Sequence, residues 1–253
     1  MEAVVEWGHS MALPQSCVVY DLGTVAYPRA VELQQALERA RREGRVPDVL
    51  LLLEHPPVLT LGRSGGIGDI LAPAEALAAE GITVFVTDRG GGVTYHGPGQ
   101  LVAYPILDLP RRGLTVTGYV RLLEQTVIHL LAGFGIAAGR LPGYPGVWVD
   151  GEKVCALGVH ISHGITRHGL ALNVDPDLRH FNLIRPCGIS DRRVTSVARL
   201  LGRPVAVTEV KGTFRESFRR TLGIPLVAGS AKEIEAIPKS LTPSVPLSLP
   251  KGE

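Results

Sequence analysis

Residues 146–161 read GVWVDGEKVCALGVHI, and this stretch decides the fold class of the chain. Two strand-like runs, 146–149 and 153–161, flank the dipeptide Asp150-Gly151. Asp-Gly between two such runs is a strong β-hairpin signal, because the tight turn needs residues that tolerate positive φ. Residues 166–174, again rich in apolar side chains, predict a third strand directly after the hairpin.

Helices and further strands are predicted elsewhere in the chain. Apolar residues at helical spacing predict helices over 27–45, 74–80, 116–134, 196–201 and 208–222. Apolar or β-branched runs predict strands over 17–22, 49–53, 58–61, 83–87 and 101–107. This mixture predicts an α+β (mixed α/β) fold. We expect a single domain over 17–227, an N-terminal extension over 1–16, and a proline-rich, loosely packed C-terminal tail over 228–253.

The composition is that of a globular domain, with 45% apolar and 20% charged residues in a chain of 253. A net charge of +2 without a basic run argues against a nucleic-acid-binding protein. The three cysteines, Cys17, Cys155 and Cys187, form a poor disulfide framework, which favours a reducing compartment. Because we find neither a secretory signal nor a run long enough to cross a membrane, we expect a cytoplasmic protein.

A glycine-rich segment, 89–100, has the sequence RGGGVTYHGPGQ. Glycines at a strand end let a ligand approach the backbone closely and expose its N–H groups. The segment is not a phosphate-binding P-loop, because no Gly-Lys-Ser/Thr follows, and it is not a dinucleotide-binding turn, because a strand is predicted after it. A tight surface turn is the alternative, although the segment also carries Arg, Thr, Tyr, His and Gln.

Lys153 and Cys155 lie two positions apart on a predicted strand, so we expect both, with Leu157, on one face. The plainer interpretation is a solvent-facing lysine beside a small buried cysteine. Lys153 therefore becomes a candidate for chemistry only if a reactive thiol lies near it in space.

Cys187 is the better candidate for a reactive thiol, because it lies between Pro186 and Gly188 in a predicted loop. A thiol with a pKa of about 8.5 is mostly protonated at neutral pH, so it needs a cationic or basic neighbour. The candidate neighbours are Lys153, His96, His160, His163 and His168. A merely structural cysteine is the alternative.

Cys155, His160, His163 and His168 are close in sequence, but their spacing matches no standard zinc pattern. A strand would also place His160 and His163 on opposite faces, so we expect no metal site. Residues 168–173, HGLALN, form an apolar strand that suits either a buried core or the wall of an apolar pocket.

Four segments together resemble the lipoyl (octanoyl) transferase family: RGGGVTYHGPGQ at 89–100, GEKVCALG at 151–158, HGLALN at 168–173 and PCGI at 186–189. They occur in this order, and the resemblance covers roughly 17–222. It implies an acyltransferase domain with a mixed β-sheet flanked by helices, similar to the catalytic fold of biotin and lipoate protein ligases.

The resemblance also implies an activity. Members of the family move an octanoyl group from octanoyl-acyl carrier protein to a lysine of lipoyl domains of oxoacid dehydrogenase complexes and of the glycine cleavage H protein. No metal, nucleotide or other cofactor is implied, and we expect a monomer. An ATP-dependent lipoate or biotin protein ligase on the same fold is the alternative, and it would need no nucleophilic cysteine.

The resemblance assigns roles by position. Cys187 is expected to carry the acyl group as a thioester, and Lys153 is expected to lower the pKa of its thiol. Glycine or alanine at 158, 169 and 171 would leave room for the acyl chain. The residues expected to line the acyl site are Arg89, Gly90, Gly91, Gly92, Val93, Thr94, Tyr95, His96, Ala156, Leu157, Gly158, Gly169, Leu170 and Ala171. Candidates for docking acidic partners are Arg111, Arg112, Arg140, Arg192 and Arg193.

Overall fold

The computed structural model describes residues 16–185 and 193–235. Its strands are β1 Cys17–Thr24, β2 Asp48–Glu54, β3 Val58–Leu61, β4 Thr83–Val86, β5 Val93–His96, β6 Gln100–Ile106, β7 Gly139–Leu141, β8 Tyr144–Val149, β9 Glu152–Ser162, β10 Ile165–Asn173 and β11 Leu226–Ala228. Its α-helices are α1 Tyr27–Arg42, α2 Ala74–Ala79, α3 Val116–Gly133, α4 Val197–Leu201, α5 Val207–Leu222 and α6 Ala231–Glu235. Cys187 lies outside the described residues.

Eight strands form one mixed sheet in the order β11-β1-β2-β6-β10-β9-β8-β7. The pairs β1–β11 and β1–β2 are parallel, and the pairs from β2 to β7 are antiparallel. A smaller sheet has the order β4-β3-β5. The α+β class and the mixed sheet flanked by helices, which the sequence predicts, are confirmed.

Helices cover both faces of the large sheet, which explains the continuous apolar run of β2. Leu50 and Leu52 belong to a core cluster with residues of α3 and α5, whereas Leu51 and Leu53 belong to a second cluster with residues of α1. Because both faces are buried, β2 shows no alternation of polar and apolar residues. The small sheet has its own core, which includes Tyr95 and Phe181.

The predicted hairpin is confirmed at β8 and β9. Its turn residues Asp150 and Gly151 have φ angles of 48° and 80°, as a type I′ turn requires. A β-bulge follows the turn, since Trp148 pairs with Lys153 but Val147 pairs with Cys155, which leaves one extra residue on β9. The bulge breaks the alternation of faces, so Lys153 and Cys155 do not share the face that strict alternation predicts.

Several boundaries differ from the predictions. The segment 89–100 is not all loop, because β5 lies at its centre and pairs with β3. The three-residue strands β7 and β11 and the helix α6 are not predicted at all.

The side chain of Ile234 in α6 is buried, and the Tyr20 hydroxyl donates a hydrogen bond to Glu233 at 2.8 Å. The packed structure therefore continues to at least Glu235, beyond the expected domain end at 227.

No helix within 16–185 or 193–235 is long and apolar enough to cross a lipid bilayer.

Candidate active site

A cavity of about 400 Å³ lies against β9 and β10 of the large sheet. The glycine-rich segment before β5 closes one side of it, and the Gly90 N–H donates a hydrogen bond to the Val159 carbonyl of β9 at 2.9 Å. A mostly apolar cavity with a few polar groups is the usual form of a small-ligand site.

The cavity brings together most of the residues that the sequence analysis expects. Those in its wall are Arg89, Gly90, Gly91, Val93, Thr94, His96, Lys153, Ala156, Leu157, Gly158, Gly169, Leu170 and Ala171. Gly92 and Tyr95 are not part of the wall formed by the described residues. Tyr95 packs instead against Phe181, with ring centroids 5.5 Å apart, and its hydroxyl lies 2.8 Å from His180 Nδ1.

Backbone hydrogen bonds hold the chain at Arg185, before Cys187, and at Arg193 and Thr195, after it. The Arg185 N–H donates to the Asp69 carbonyl at 2.7 Å. Further along the chain, the Arg193 carbonyl accepts a hydrogen bond from the Lys153 N–H, and the Thr195 N–H donates to the Lys153 carbonyl, each at 3.0 Å. Arg193 and Thr195 are therefore held against the backbone of Lys153.

The Lys153 side chain runs beside the start of β8. Its ammonium lies 4.8 Å from the ring centroid of Trp148, within the range of a cation–π contact. Gly146 has a φ of 133°, and a Cβ atom there would come within 3.2 Å of Lys153 Cε and 2.8 Å of the Cys155 carbonyl oxygen. Glycine at 146 therefore leaves room for the lysine and for β9.

The buried guanidinium of Arg89 holds the glycine-rich segment in place. Its Nη2 donates to the carbonyl oxygens of Thr60 and Gly92 at 2.7 and 2.8 Å, and its Nε donates to Thr60 Oγ1 at 3.2 Å. These contacts tie the segment to β3. Arg89 therefore shapes the wall of the cavity through the backbone that it binds.

Two wall glycines are required by close backbone packing. A Cβ atom at Gly158 would lie 2.7 Å from the Gly90 carbonyl oxygen, and one at Gly169 would lie 2.2 Å from the Ala103 carbonyl oxygen. Real Cβ atoms do not approach oxygen so closely, so both positions need glycine for strand and loop packing. This reason differs from the expectation that their small size makes room for an acyl chain.

Asp88, which directly precedes the glycine-rich segment, connects it to β10. Its carboxylate accepts hydrogen bonds from Arg167 Nη2 at 2.6 Å and from His168 Nε2 at 2.8 Å. Burial alone would raise the pKa of Asp88, but the hydrogen bond from His168 and the charge of Arg167 outweigh it and hold that pKa well below its usual range. Asp88 is therefore ionised and connects the glycine-rich segment to β10.

Buried histidines lie in the wall of the cavity or directly behind it. The His55 Nδ1–H donates to the Val25 carbonyl at 2.7 Å, and its Nε2 accepts from the Tyr104 hydroxyl at 2.9 Å. Burial lowers the pKa of His55 to about 4. Burial also lowers the pKa of His96 and of His168. For His168, the effect of burial exceeds that of the hydrogen bond to Asp88, which raises the pKa. All three imidazoles are therefore neutral near pH 7.

The two described cysteines are poor nucleophiles. Cys17 and Cys155 are free and fully buried in the main core. Burial raises the pKa of each thiol well above its usual range, and for Cys155 the charge of nearby Lys153 only partly offsets this. Of the three cysteines, only Cys187 is left as a candidate nucleophile, and its role stays a prediction from the sequence because it lies outside the described residues.

Some wall residues have no clear signal in the sequence. Tyr104, Val120, Tyr144 and Pro145 come from runs that read as ordinary strand, helix or loop. Gln100 and Asn173 close the segments 89–100 and 168–173, so their position at the end of each motif is a signal that could have identified them.

Of the expected docking arginines, Arg112 pairs with the buried Asp48, and Arg140 pairs with Glu124 at 2.8 Å.

The chain matches the family model of the lipoyl protein ligase A/B catalytic domain over residues 26–219. It is 54% identical over 199 residues to the octanoyltransferase of Chloroflexus aggregans, covering 78% of this chain and 90% of the relative. It is 46% identical over 217 residues to that of Solibacter usitatus, covering 86% and 98%. The chain belongs to the octanoyltransferase family. It is therefore an acyltransferase.

Solved structures confirm the fold. A lipoate-protein ligase A bound with ATP gives a TM-score of 0.67 at 19% identity, covering 88% of this chain and 92% of the other. A putative lipoate protein ligase of T. acidophilum with bound lipoic acid gives 0.69 at 18% identity, with the same coverage. A biotin protein ligase of Aquifex aeolicus gives 0.51 at 17% identity, covering 81% and 70%.

Proposed function

We propose that this octanoyltransferase moves an octanoyl group from octanoyl-acyl carrier protein to a specific lysine of lipoyl domains and of the glycine cleavage H protein. Cys187 carries the acyl group as a thioester, and Lys153 stabilises the thiolate. The observation that carries this proposal is that Lys153 lies in the wall of the apolar cavity, while its backbone is hydrogen-bonded to Arg193 and Thr195, which come only a few residues after Cys187 in the sequence.

The reaction proceeds in two balanced steps. The Cys187 thiolate attacks the carbonyl carbon of the donor thioester, a new C–S bond forms, and the carrier thiol leaves with the electron pair of the old one. The amine of the acceptor lysine then attacks the acyl-enzyme, a C–N bond forms, and the Cys187 sulfur leaves. Because a thioester is exchanged for an amide in the second step, the reaction runs forward without ATP.

The position of Lys153 supports an eight-carbon chain. Its Cε lies beside Gly146 of β8. The next residue of β8, Val147, pairs with Cys155, so Gly146 and the ammonium lie near the level of Ala156 on β9. His168 pairs with Val159, three residues further along β9 and roughly 10 Å away at about 3.3 Å per residue. An extended eight-carbon chain spans roughly 9 Å, given C–C bonds of about 1.5 Å. The chain would then end near the buried histidines.

Apolar wall residues such as Leu157, Leu170 and Ala171 would hold the chain. Each methylene removed from water contributes about 0.8 kcal/mol to binding. We propose that a monomer is sufficient for transfer. We also propose that the catalytic domain extends to Glu235.

The test is transfer of the octanoyl group to a purified lipoyl domain, followed by intact mass, in a buffer without ATP or Mg²⁺. We expect full modification of the acceptor. Modification that requires ATP and free octanoate would favour the ligase alternative. Release of octanoic acid in the absence of acceptor would indicate a thioesterase.

A further inference from the structure

The backbone of His168, a residue of the cavity wall, has an unusual conformation for a strand. Its φ is 56°, in the left-handed region that residues other than glycine rarely adopt. Two other non-glycine residues of the described ranges have a positive φ, and both, Asp150 and His163, lie in hairpin turns, whereas His168 lies within β10. Such a conformation persists only where neighbouring contacts hold it, and it is typical of ligand sites.

Two contacts hold His168 in place. Its backbone N–H donates to Gln34 Oε1 at 2.6 Å, and its Nε2 lies 2.8 Å from Asp88 Oδ1. Because the ionised carboxylate of Asp88 can only accept, Nε2 must carry a proton. The ring is neutral near pH 7 and has one N–H, so Nδ1 is a bare hydrogen-bond acceptor.

Two buried polar atoms of these residues have no partner among the residues that the structure describes. One is His168 Nδ1, an acceptor, and the other is Gln34 Nε2, a donor. Gln34 is 0% exposed and His168 is 1% exposed. Buried polar groups are normally satisfied by protein, by water or by a ligand. A hydroxyl group could satisfy both, because it donates one hydrogen bond and accepts others.

The acyl chain of the proposed function would end beside His168. This residue pairs with Val159, which is the level of β9 that an extended eight-carbon chain reaches from Lys153. The ring of Tyr104, also in the cavity wall, stands at 88° to that of His168 with centroids 6.0 Å apart. The Tyr104 hydroxyl donates its proton to His55 Nε2 at 2.9 Å, so it does not serve His168.

We propose that the enzyme also accepts an eight-carbon acyl chain whose last carbon carries a hydroxyl, and that His168 Nδ1 accepts a hydrogen bond from this hydroxyl. Gln34 Nε2 donates to the hydroxyl oxygen. The inference rests on the proposed function, from which it takes the direction of the chain. The hydroxyl takes no part in the transfer reaction, so His168 and Gln34 determine specificity and not the chemical step.

A comparison of two carrier-bound chains of equal length tests the proposal. The 8-hydroxyoctanoyl and nonanoyl chains differ only in the group after the eighth carbon, which is a hydroxyl or a methyl. In a purely apolar slot the hydroxyl would be buried without a partner, and transfer of its chain should have a kcat/KM at least about tenfold lower. We expect the two values to agree within about threefold in the wild type. A larger deficit for the hydroxylated chain would overturn the inference.

His168→Phe removes Nδ1 and should lower the kcat/KM of the hydroxylated chain relative to the nonanoyl chain by about tenfold. The ratio within one protein cancels any general loss of activity. His163→Phe is the matched control, because His163 also has a left-handed backbone, with a φ of 51°, but is exposed in the β9–β10 turn. It should keep the wild-type ratio.

An unchanged ratio in His168→Phe would overturn the inference. A wild type that transfers neither these chains nor octanoyl would instead contradict the proposed function.

A measurement on the unmodified protein depends neither on the folding of His168→Phe nor on thioester chemistry. Nitrogen NMR of ¹⁵N-histidine-labelled wild type distinguishes protonated from bare ring nitrogens. The His168 signals are assigned by their loss in His168→Asn, since asparagine tolerates a left-handed backbone. We expect a protonated Nε2 and a bare Nδ1 at pH 7, and an upfield shift of Nδ1 with saturating free 8-hydroxyoctanoate but not with nonanoate. A proton on Nδ1, or the same response to both acids, would overturn the inference.

Discussion

The ammonium of Lys153 lies over the Trp148 ring, and the backbone of Lys153 is hydrogen-bonded to Arg193 and Thr195. Lys153→Met keeps a similar side-chain length but removes the charge. A thiol with a pKa of about 8.5 is only about 3% ionised at pH 7, so we expect acyl-enzyme formation to slow by about 30-fold at pH 7 and to recover towards pH 9. Stopped-flow or quenched mass spectrometry measures this rate.

Lys232→Met is the control for charge alone, because Lys232 is exposed on α6. It should leave the pH profile unchanged. If Lys153→Met lowers the rate equally at pH 7 and pH 9, Lys153 does not act by lowering the pKa of the thiol.

Gly158→Ala tests the packing of the glycine-rich segment on β9. The new methyl group would meet the Gly90 carbonyl oxygen at 2.7 Å, so the segment must move away from the strand. Overpacking of this kind costs about 1–3 kcal/mol, and we expect a lower melting temperature together with a loss of transfer activity. Gly139→Ala, where a Cβ meets nothing within 4 Å, is the matched control and should change neither quantity.

For single residues, the sequence identifies which positions matter better than it identifies the structural role of each. Lys153 and the glycines are identified by the segments that contain them. Glycine is required at 158, however, because the strand packs there against Gly90, which is far away in the sequence. The wrong expectation for Lys153 and Cys155 has a similar cause, because the order of residues in β9 does not show where the one-residue bulge interrupts the alternation of faces.

Helix α6 contacts strand β1, next to the edge strand β11 of the large sheet, although the sequence predicts a loose tail there. Ile234 is 6% exposed, so Ile234→Ala should lower the free energy of unfolding by about 2–4 kcal/mol through the cavity that it leaves. Val227→Ala, at a residue that is 51% exposed, should cost less than about 0.5 kcal/mol. Equal values for the two variants in denaturant unfolding would show that α6 does not pack as described.

Long elements with a clear period are predicted well, and short edge elements are not. The helices α1, α3 and α5 and the strands β2, β9 and β10 agree with their patterns to within a few residues. The strands β7 and β11 have only three residues each, too few to show a period, and they exist because neighbouring strands offer free edges.

Three buried neutral histidines, His55, His96 and His168, make the stability of the whole domain depend on pH. Their folded-state pKa values are lowered, for His55 to about 4, whereas the unfolded value is about 6.5. Below pH 6.5 the unfolded chain binds more protons, so stability is full above that pH and falls as the pH drops towards 4. Each histidine contributes a slope of at most about 1.4 kcal/mol per pH unit.

Denaturant unfolding between pH 8 and pH 4 measures this slope. His55→Gln should flatten it, whereas His163→Gln, at an exposed residue of the β9–β10 turn, should not. A constant free energy of unfolding across this range would mean that the three imidazoles are not neutral in the folded protein.

The assembly of the cavity from three distant segments, with Lys153 at its wall, gives the protein its proposed role. The most direct test is the intact mass of the enzyme after incubation with octanoyl-acyl carrier protein alone, for the wild type, Cys155→Ala and Cys187→Ala. We expect one octanoyl adduct, sensitive to hydroxylamine, on the wild type and on Cys155→Ala, and none on Cys187→Ala. An adduct that survives Cys187→Ala would contradict the account.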